Sequence, residues 1–194
     1  MVRSSRRGTR SRGLERRIRA LGRGGNNVAA MQFAGEEVFS QEPEELWRRL
    51  TDLSFMARTI PGLESVSRSE PHVLECRVRP GFSFVRGTLD VTMELTEQRP
   101  SSAARMQVRA KGIGASLVVE TALELTPVET GRPAPGDGTG SAGTKPGTRL
   151  RWTAEVRELG GLLKAVSRGL IEAAAKKVIA DAWAGFRREL DAAR

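Results

Sequence analysis

From Gln32 onward, stretches with an apolar residue at every second position give way to stretches with one at every third or fourth, and this switch predicts the elements. Gln32 to Ser40 reads as a strand. Glu42 to Thr51 reads as a helix with Pro43 in its first turn and Glu44 and Glu45 near its positive end. Phe55 to Ile60 reads as a second short helix, which Pro61-Gly62 must stop. Leu63 to Ser69 and Val73 to Arg79 follow as a hairpin across Glu70-Pro71-His72, then Phe82 to Gln98, Ala104 to Lys111, Ala115 to Val128, and a last strand around Leu150, Trp152, Ala154 and Val156. Leu89, Val91, Met93 and Leu95 alternate with Thr88, Asp90, Thr92 and Glu94, and Leu117, Val119, Thr121, Leu123 and Leu125 alternate in the same way. The sheet is therefore antiparallel, with one dry and one wet face.

After Gly160-Gly161 the period lengthens. Leu163, Val166, Leu170, Ala174, Val178, Ala182, Phe186 and Leu190 form one apolar stripe, which predicts a single amphipathic helix of about eight turns. Its only large partner is the dry face of the sheet. The predicted class is α+β: a curved antiparallel sheet of about seven strands wrapped around a long C-terminal helix, with two short helices after the first strand. Glu129 to Gly147 is Gly, Pro, Thr and Ser without apolar period, so a flexible loop is expected over 129–147.

A chain of 194 residues suits one domain with appendages. Residues 1–30 hold nine Arg against Glu15 and so carry +8 of the net +9. That segment cannot bury enough surface to offset its ordering entropy, and it is expected to be a disordered extension preceding a ligand-binding domain at 31–194. Met31 directly precedes the first strand, so a start assigned too far upstream is one explanation; an arm for nucleic acid or anionic membrane is the other. The remainder carries +1 and makes no electrostatic case for a phosphate-binding face.

Cys76 is the single cysteine, which leaves no intramolecular disulfide or thiolate cluster and suits a reducing compartment; a buried structural thiol is expected. No apolar run reaches a membrane span, and the basic N-terminus never meets a hydrophobic h-region. A cytoplasmic protein is expected, with peripheral contact at the inner face of the membrane as an additional possibility.

Catalytic chemistry is poorly provided for. There is one His and no Tyr, and His72 falls in a hairpin turn where a solvated side chain is expected. G-x-S-x-G and metal-ligand spacings are missing, and Gly112-Ile113-Gly114 joins two strands rather than leading from a strand into a helix. Hence no catalytic residue, metal or cofactor is expected. Binding is better supported, because a straight helix cannot press on a curved sheet everywhere and the gap becomes an apolar pocket. Its candidate lining is Phe84, Met93, Met106, Val108, Leu117, Val119 and Trp152 from strands, with Leu163, Val166 and Leu170 from the last helix. Plain core packing is the competing role for each, and the adaptable Met93 and Met106 suit a ligand of variable shape.

The run from Gln32 to Leu190 resembles the carbon monoxide dehydrogenase accessory G-subunit family, within the START-like (SRPBCC) superfamily of helix-grip fold. The resemblance rests on Phe33-x-Gly35, Pro43-x-x-x-Trp47 with Leu50 and Asp52, Ile60-Pro61-Gly62 followed by Leu63-Glu64, Phe84-x-x-Gly87, Gly112-x-Gly114, and Gly160-Gly161 leading into the helix at Ala173 to Lys177. It implies a non-catalytic accessory role beside molybdenum hydroxylase subunits, at the membrane, with a lipid, quinone or polyketide in the cavity. It also implies a gate, in which Phe55, Met56, Ile60, Pro61 and Gly62 form a lip facing Gly160, Gly161 and Leu162. Three features depart from the family pattern: the bulkier run Ala115 to Val119, the longer 129–146 loop, and the lack of a membrane tail after Leu190. The alternatives are a cyclase or aromatase using Arg77, Arg86, Arg105 or Lys111, all turned outward by alternation, and nucleic-acid binding through the basic arm.

Overall fold

The computed structural model describes residues 31–82, 87–130 and 145–193. Its strands are β1 (Met31–Phe39), β2 (Leu63–Ser69), β3 (Val73–Val78), β4 (Leu89–Arg99), β5 (Ala103–Gly112), β6 (Ala115–Thr130) and β7 (Lys145–Gly161). Helices α1 (Pro43–Thr51) and α2 (Leu53–Ala57) follow β1, and α3 (Arg168–Ala192) closes the chain. The strands form one antiparallel sheet in the order β1-β7-β6-β5-β4-β3-β2, so the expected sheet and helix layout is the observed one.

Alternation along each strand becomes rows across the sheet. Leu74, Met93, Val108, Val119, Val156 and Met31 partner one another in succession, and Leu95, Met106, Thr121, Ala154 and Phe33 form the next row. Those rows face α3. The opposite face is wet and carries cross-strand ion pairs such as Arg77–Asp90 and Arg109–Glu94, exposed pairs that each contribute about 0–1 kcal/mol.

The corner after β1 is built from local signals. Pro43 stands at the start of α1, where its missing N–H costs nothing. Asp52 caps α2 by accepting from the Ser54 and Phe55 N–H groups at 2.9 and 3.1 Å. The buried Thr148 hydroxyl donates to the Gln41 carbonyl at 2.7 Å, tying the chain after β1 to β7. Leu46 and Leu50 then bury against Phe39, Phe55, Leu150 and Phe186 in the principal core cluster. A second cluster joins Leu53 and Ala57 to Leu74, Met93, Leu95 and Met106, and a third joins Met31, Val156 and Leu159.

Four boundaries differ from the sequence reading. α2 starts at Leu53 rather than Phe55, because the Asp52 cap sets its first turn. The expected loop 129–147 is shorter, since Thr130 still pairs with Lys145 and Glu129 with Pro146; ladder bonds need no apolar alternation. Pro146 fits there because β1 has ended opposite Thr148, leaving β7 one neighbouring strand at that point. Described β4 starts at Leu89, after Gly87 at φ 113°. The last helix does not run from Leu163: Leu162–Ala165 is a separate 3-10 turn, Val166 and Ser167 are extended, and α3 begins at Arg168. The basic arm, Phe84, Arg86 and residues 131–144 lie outside the described residues.

Candidate functional site

Helix α3 is seated on the fold chiefly by its second half, with Ile171 of its first turn packed on the third cluster. Phe186 and Leu190 are buried in the principal cluster, and Phe186 meets Phe39 and Phe55 edge-on at centroid distances of 5.8 and 5.6 Å. Gly185 lets the helix lie against Thr59, whose carbonyl would sit 3.0 Å from an added Cβ. Arg58 pairs with Glu189 at 3.0 Å on the same flank. Nearer its start the apolar stripe is unburied: Leu170 is 46% exposed and Val178 39%. On the sheet face turned toward it, Val91, Val108, Leu117 and Val119 remain half-buried. Short side chains explain this gap. Ala174, Ala175 and Ala182 on the helix and Val108, Val119, Thr121 and Ala154 on the sheet are too small to fill the space between two layers.

The structure divides the predicted lining among several places. Met93, Met106 and Val108 belong to the second cluster, beside Leu53 and Ala57. Leu117, Val119 and Leu163 belong to the third, and Leu163 and Val166 line a hollow of about 280 Å³ with Met31, Leu159 and Ile171. Leu170 is exposed near the start of α3, and Trp152 packs on the principal cluster, against Trp183.

The predicted gate residues belong to two parts of the fold. Phe55 is fully buried, with the Arg49 and Arg58 guanidinium groups over its ring at 5.2 and 5.0 Å, so it is a core residue rather than an exposed lip. Met56 packs half-buried on the same cluster. Ile60, Pro61 and Gly62 stand where β2 begins, and Gly62 packs on the Arg79 backbone. Gly160 and Gly161 pack instead on Ser116 and Gly114, at the far end of β7, with β6, β5, β4 and β3 lying between β7 and β2. The connection to the sheet, rather than the turn sequence, sets what each half touches: β2–β3 holds one and the β5–β6 hairpin the other.

A feature the sequence reading missed lies at the β1 edge. Gly35 pairs with Trp152 in the ladder, and a Cβ on residue 35 would meet the indole at 2.6 Å. The glycine therefore lets Trp152 lie across β1, where Trp183 approaches it at 6.2 Å between centroids. Between α3 and β1 this leaves an open groove of about 700 Å³, whose apolar wall includes Phe33, Trp152, Ile179 and Trp183. A glycine inside a strand was the available signal, since it marks a close approach by another group.

Titratable groups are few here. Burial pushes the Cys76 thiol above its ordinary range, so the native state holds a proton that the unfolded chain releases at lower pH. That contribution to stability is fully present below the ordinary thiol range and is lost as pH rises from there through the raised native value. At about pH 8, Ellman's reagent should label the native protein far more slowly than the unfolded chain; equal rates would place β3 in an open state. His72 is exposed and shares a 2.9 Å hydrogen bond with Gln98. Among the described residues no group of three or more His, Cys, Asp or Glu is placed to hold a metal ion, and no helix is long and apolar enough to cross a membrane.

A family model described as polyketide cyclase / dehydrase and lipid transport matches residues 32–191. The fold is similar to that of a conserved protein from Geobacillus kaustophilus, at 22% identity over 83% of this chain and 95% of that one, with a TM-score of 0.66. It is also similar to a protein from Thermus thermophilus, at 14% identity over 84% and 99% of the two chains, with a TM-score of 0.54. Among curated proteins, none matches the sequence.

Proposed function

The chain belongs to the polyketide cyclase / dehydrase and lipid transport family, and from that premise we propose that it is a non-catalytic carrier of a hydrophobic small molecule, held between α3 and the dry face of the sheet. The observation that carries this reading is incomplete burial on both layers: Leu170 and Val178 of α3 are exposed, and Val91, Val108 and Val119 on the dry face of the sheet are only half-buried. Leu170 and Val178 are less than half exposed, so covering each with an apolar guest stabilises by about 1 kcal/mol. Carriage is favoured over cyclase chemistry because Arg77 and Arg105 direct their charge to Asp90 and Glu97 on the wet face, and Lys111 is exposed beside them. The motif order from Phe33 to Lys177 supports the narrower assignment: an accessory protein like the carbon monoxide dehydrogenase G-subunit, serving a molybdenum hydroxylase with a lipid or quinone at the membrane.

Native mass spectrometry of protein purified from its own host should show a retained apolar molecule, and decylubiquinone or dansyl-undecanoate should bind the emptied protein. Val178→Trp, which fills the gap from an exposed position, should weaken that uptake about tenfold with little change in stability. Protein that is empty from its host and takes up neither probe would overturn carriage. Molybdenum hydroxylase subunits encoded beside this chain would support the narrower assignment, and their consistent absence would remove it.

A further inference from the structure

The two flanks of α3 face different surroundings. Gly185 and Glu189 turn one flank toward Thr59 and Arg58, whereas Lys176, Ile179, Ala180, Trp183 and Arg187, spaced three or four residues apart, turn the other toward β1. The groove on this second flank is therefore separate from the space proposed above to hold an apolar guest. Lys176 and Arg187 lie eleven residues apart, so it runs about 16 Å along the helix, and its volume of about 700 Å³ falls in the range of small-molecule sites.

Its chemistry is specific. Phe33, Trp152 and Trp183 supply flat aromatic surface, and Gly35 is what allows the Trp152 indole to lie there. At one end Arg187 is already committed: it pairs with Glu37, donates to the Val38 carbonyl at 3.3 Å and covers the Phe39 ring at 4.5 Å. Lys176, toward the other end, has no ion-pair or hydrogen-bond partner among the described residues. An aromatic slot with one uncommitted ammonium group matches a planar apolar body carrying a single anionic group: the rings stack on the indoles and the anion meets Lys176.

We propose that this β1-edge groove is a binding site for planar aromatic anions, distinct from the space beside Val178 proposed above for an apolar guest. Trp152 and Trp183 are two of the three tryptophans, so intrinsic fluorescence reports on the site directly.

The test titrates the full-length protein with 2-naphthoate and with neutral 2-naphthamide, followed by calorimetry and tryptophan fluorescence. Naphthoate should bind with a change in fluorescence, more tightly than the amide. Lys176→Glu, at an exposed position, should weaken naphthoate about tenfold, as expected for one charge-assisted hydrogen bond, and leave the amide nearly unchanged. Ala180→Trp, which fills the groove from an exposed position, should abolish both, while the interior-filling Val178→Trp should leave both intact. Naphthoate binding that survives Lys176→Glu and Ala180→Trp, or that is lost with Val178→Trp, would overturn the proposal, as would no binding at all. Because Val178→Trp acts only on the interior space, failure of this site and failure of the carrier reading give different patterns.

Discussion

Replacing Phe186 with alanine should cost about 3–5 kcal/mol of folding stability, the largest effect expected from any single substitution in the described core. The ring is almost wholly buried and meets three aromatic neighbours edge-on: Phe39, Phe55 and Trp183, at 5.8, 5.6 and 5.9 Å. These come from β1, α2 and α3 itself, so one side chain joins the first strand, the corner helices and the last helix. The first half of α3 reaches a core cluster through the half-buried Ile171, and Leu190 is the helix's other large buried anchor. A domain of this size has about 5–15 kcal/mol in total, so the variant should be close to half-unfolded at modest denaturant. Urea unfolding should show a lower midpoint at unchanged slope. Phe186→Leu, which keeps most of the volume, should cost much less. A loss under about 1 kcal/mol for the alanine variant would mean that α3 is held elsewhere.

Gly161→Ala should be the next most damaging change, although it adds a single methyl group. Gly161 has φ 60° and ψ −135°, a region that residues with a Cβ avoid, and an added Cβ would overlap the Gly114 carbonyl oxygen. That oxygen also accepts from the Leu162 N–H at 2.9 Å, so relieving the clash breaks the bond that starts the turn into α3. Backbone strain and the lost bond together suggest about 3 kcal/mol, or roughly 6–12 °C in Tm for a chain of this length. Gly169→Ala is the control: nothing lies within 4 Å of its added Cβ, and it sits in the first turn of α3, where alanine stabilises by up to about 1 kcal/mol. Equal melting temperatures for the two variants would show that the β7 exit is not under this constraint.

The interior space and the β1-edge groove were legible to different degrees before the structure. The small residues that open the interior, Ala174, Ala182, Val108 and Val119, lie at predictable positions on predicted faces, so a gap between helix and sheet follows from local pattern. Which side chains share that gap does not follow. Met93 and Leu117 are on neighbouring rows of one face yet belong to different clusters, because the sheet spans seven strands and one helix cannot cover all of it. Phe55 was expected on an exposed lip and is a core residue for a related reason. Phe55 and Gly62 are close in sequence, but the first is drawn into the core by Phe186 and the second is held at the sheet end by Arg79.

By itself the sequence determined the element types, the wet and dry faces, the antiparallel sheet and the presence of one long amphipathic helix, since each depends on periods read within a dozen residues. Tertiary structure alone decided that α3 is seated by Phe186 and Leu190 while Leu170 and Val178 stay exposed, and that Gly35 lies opposite Trp152. Ladder register sets the second and packing between layers the first. Both join residues more than a hundred positions apart, beyond the reach of any local period.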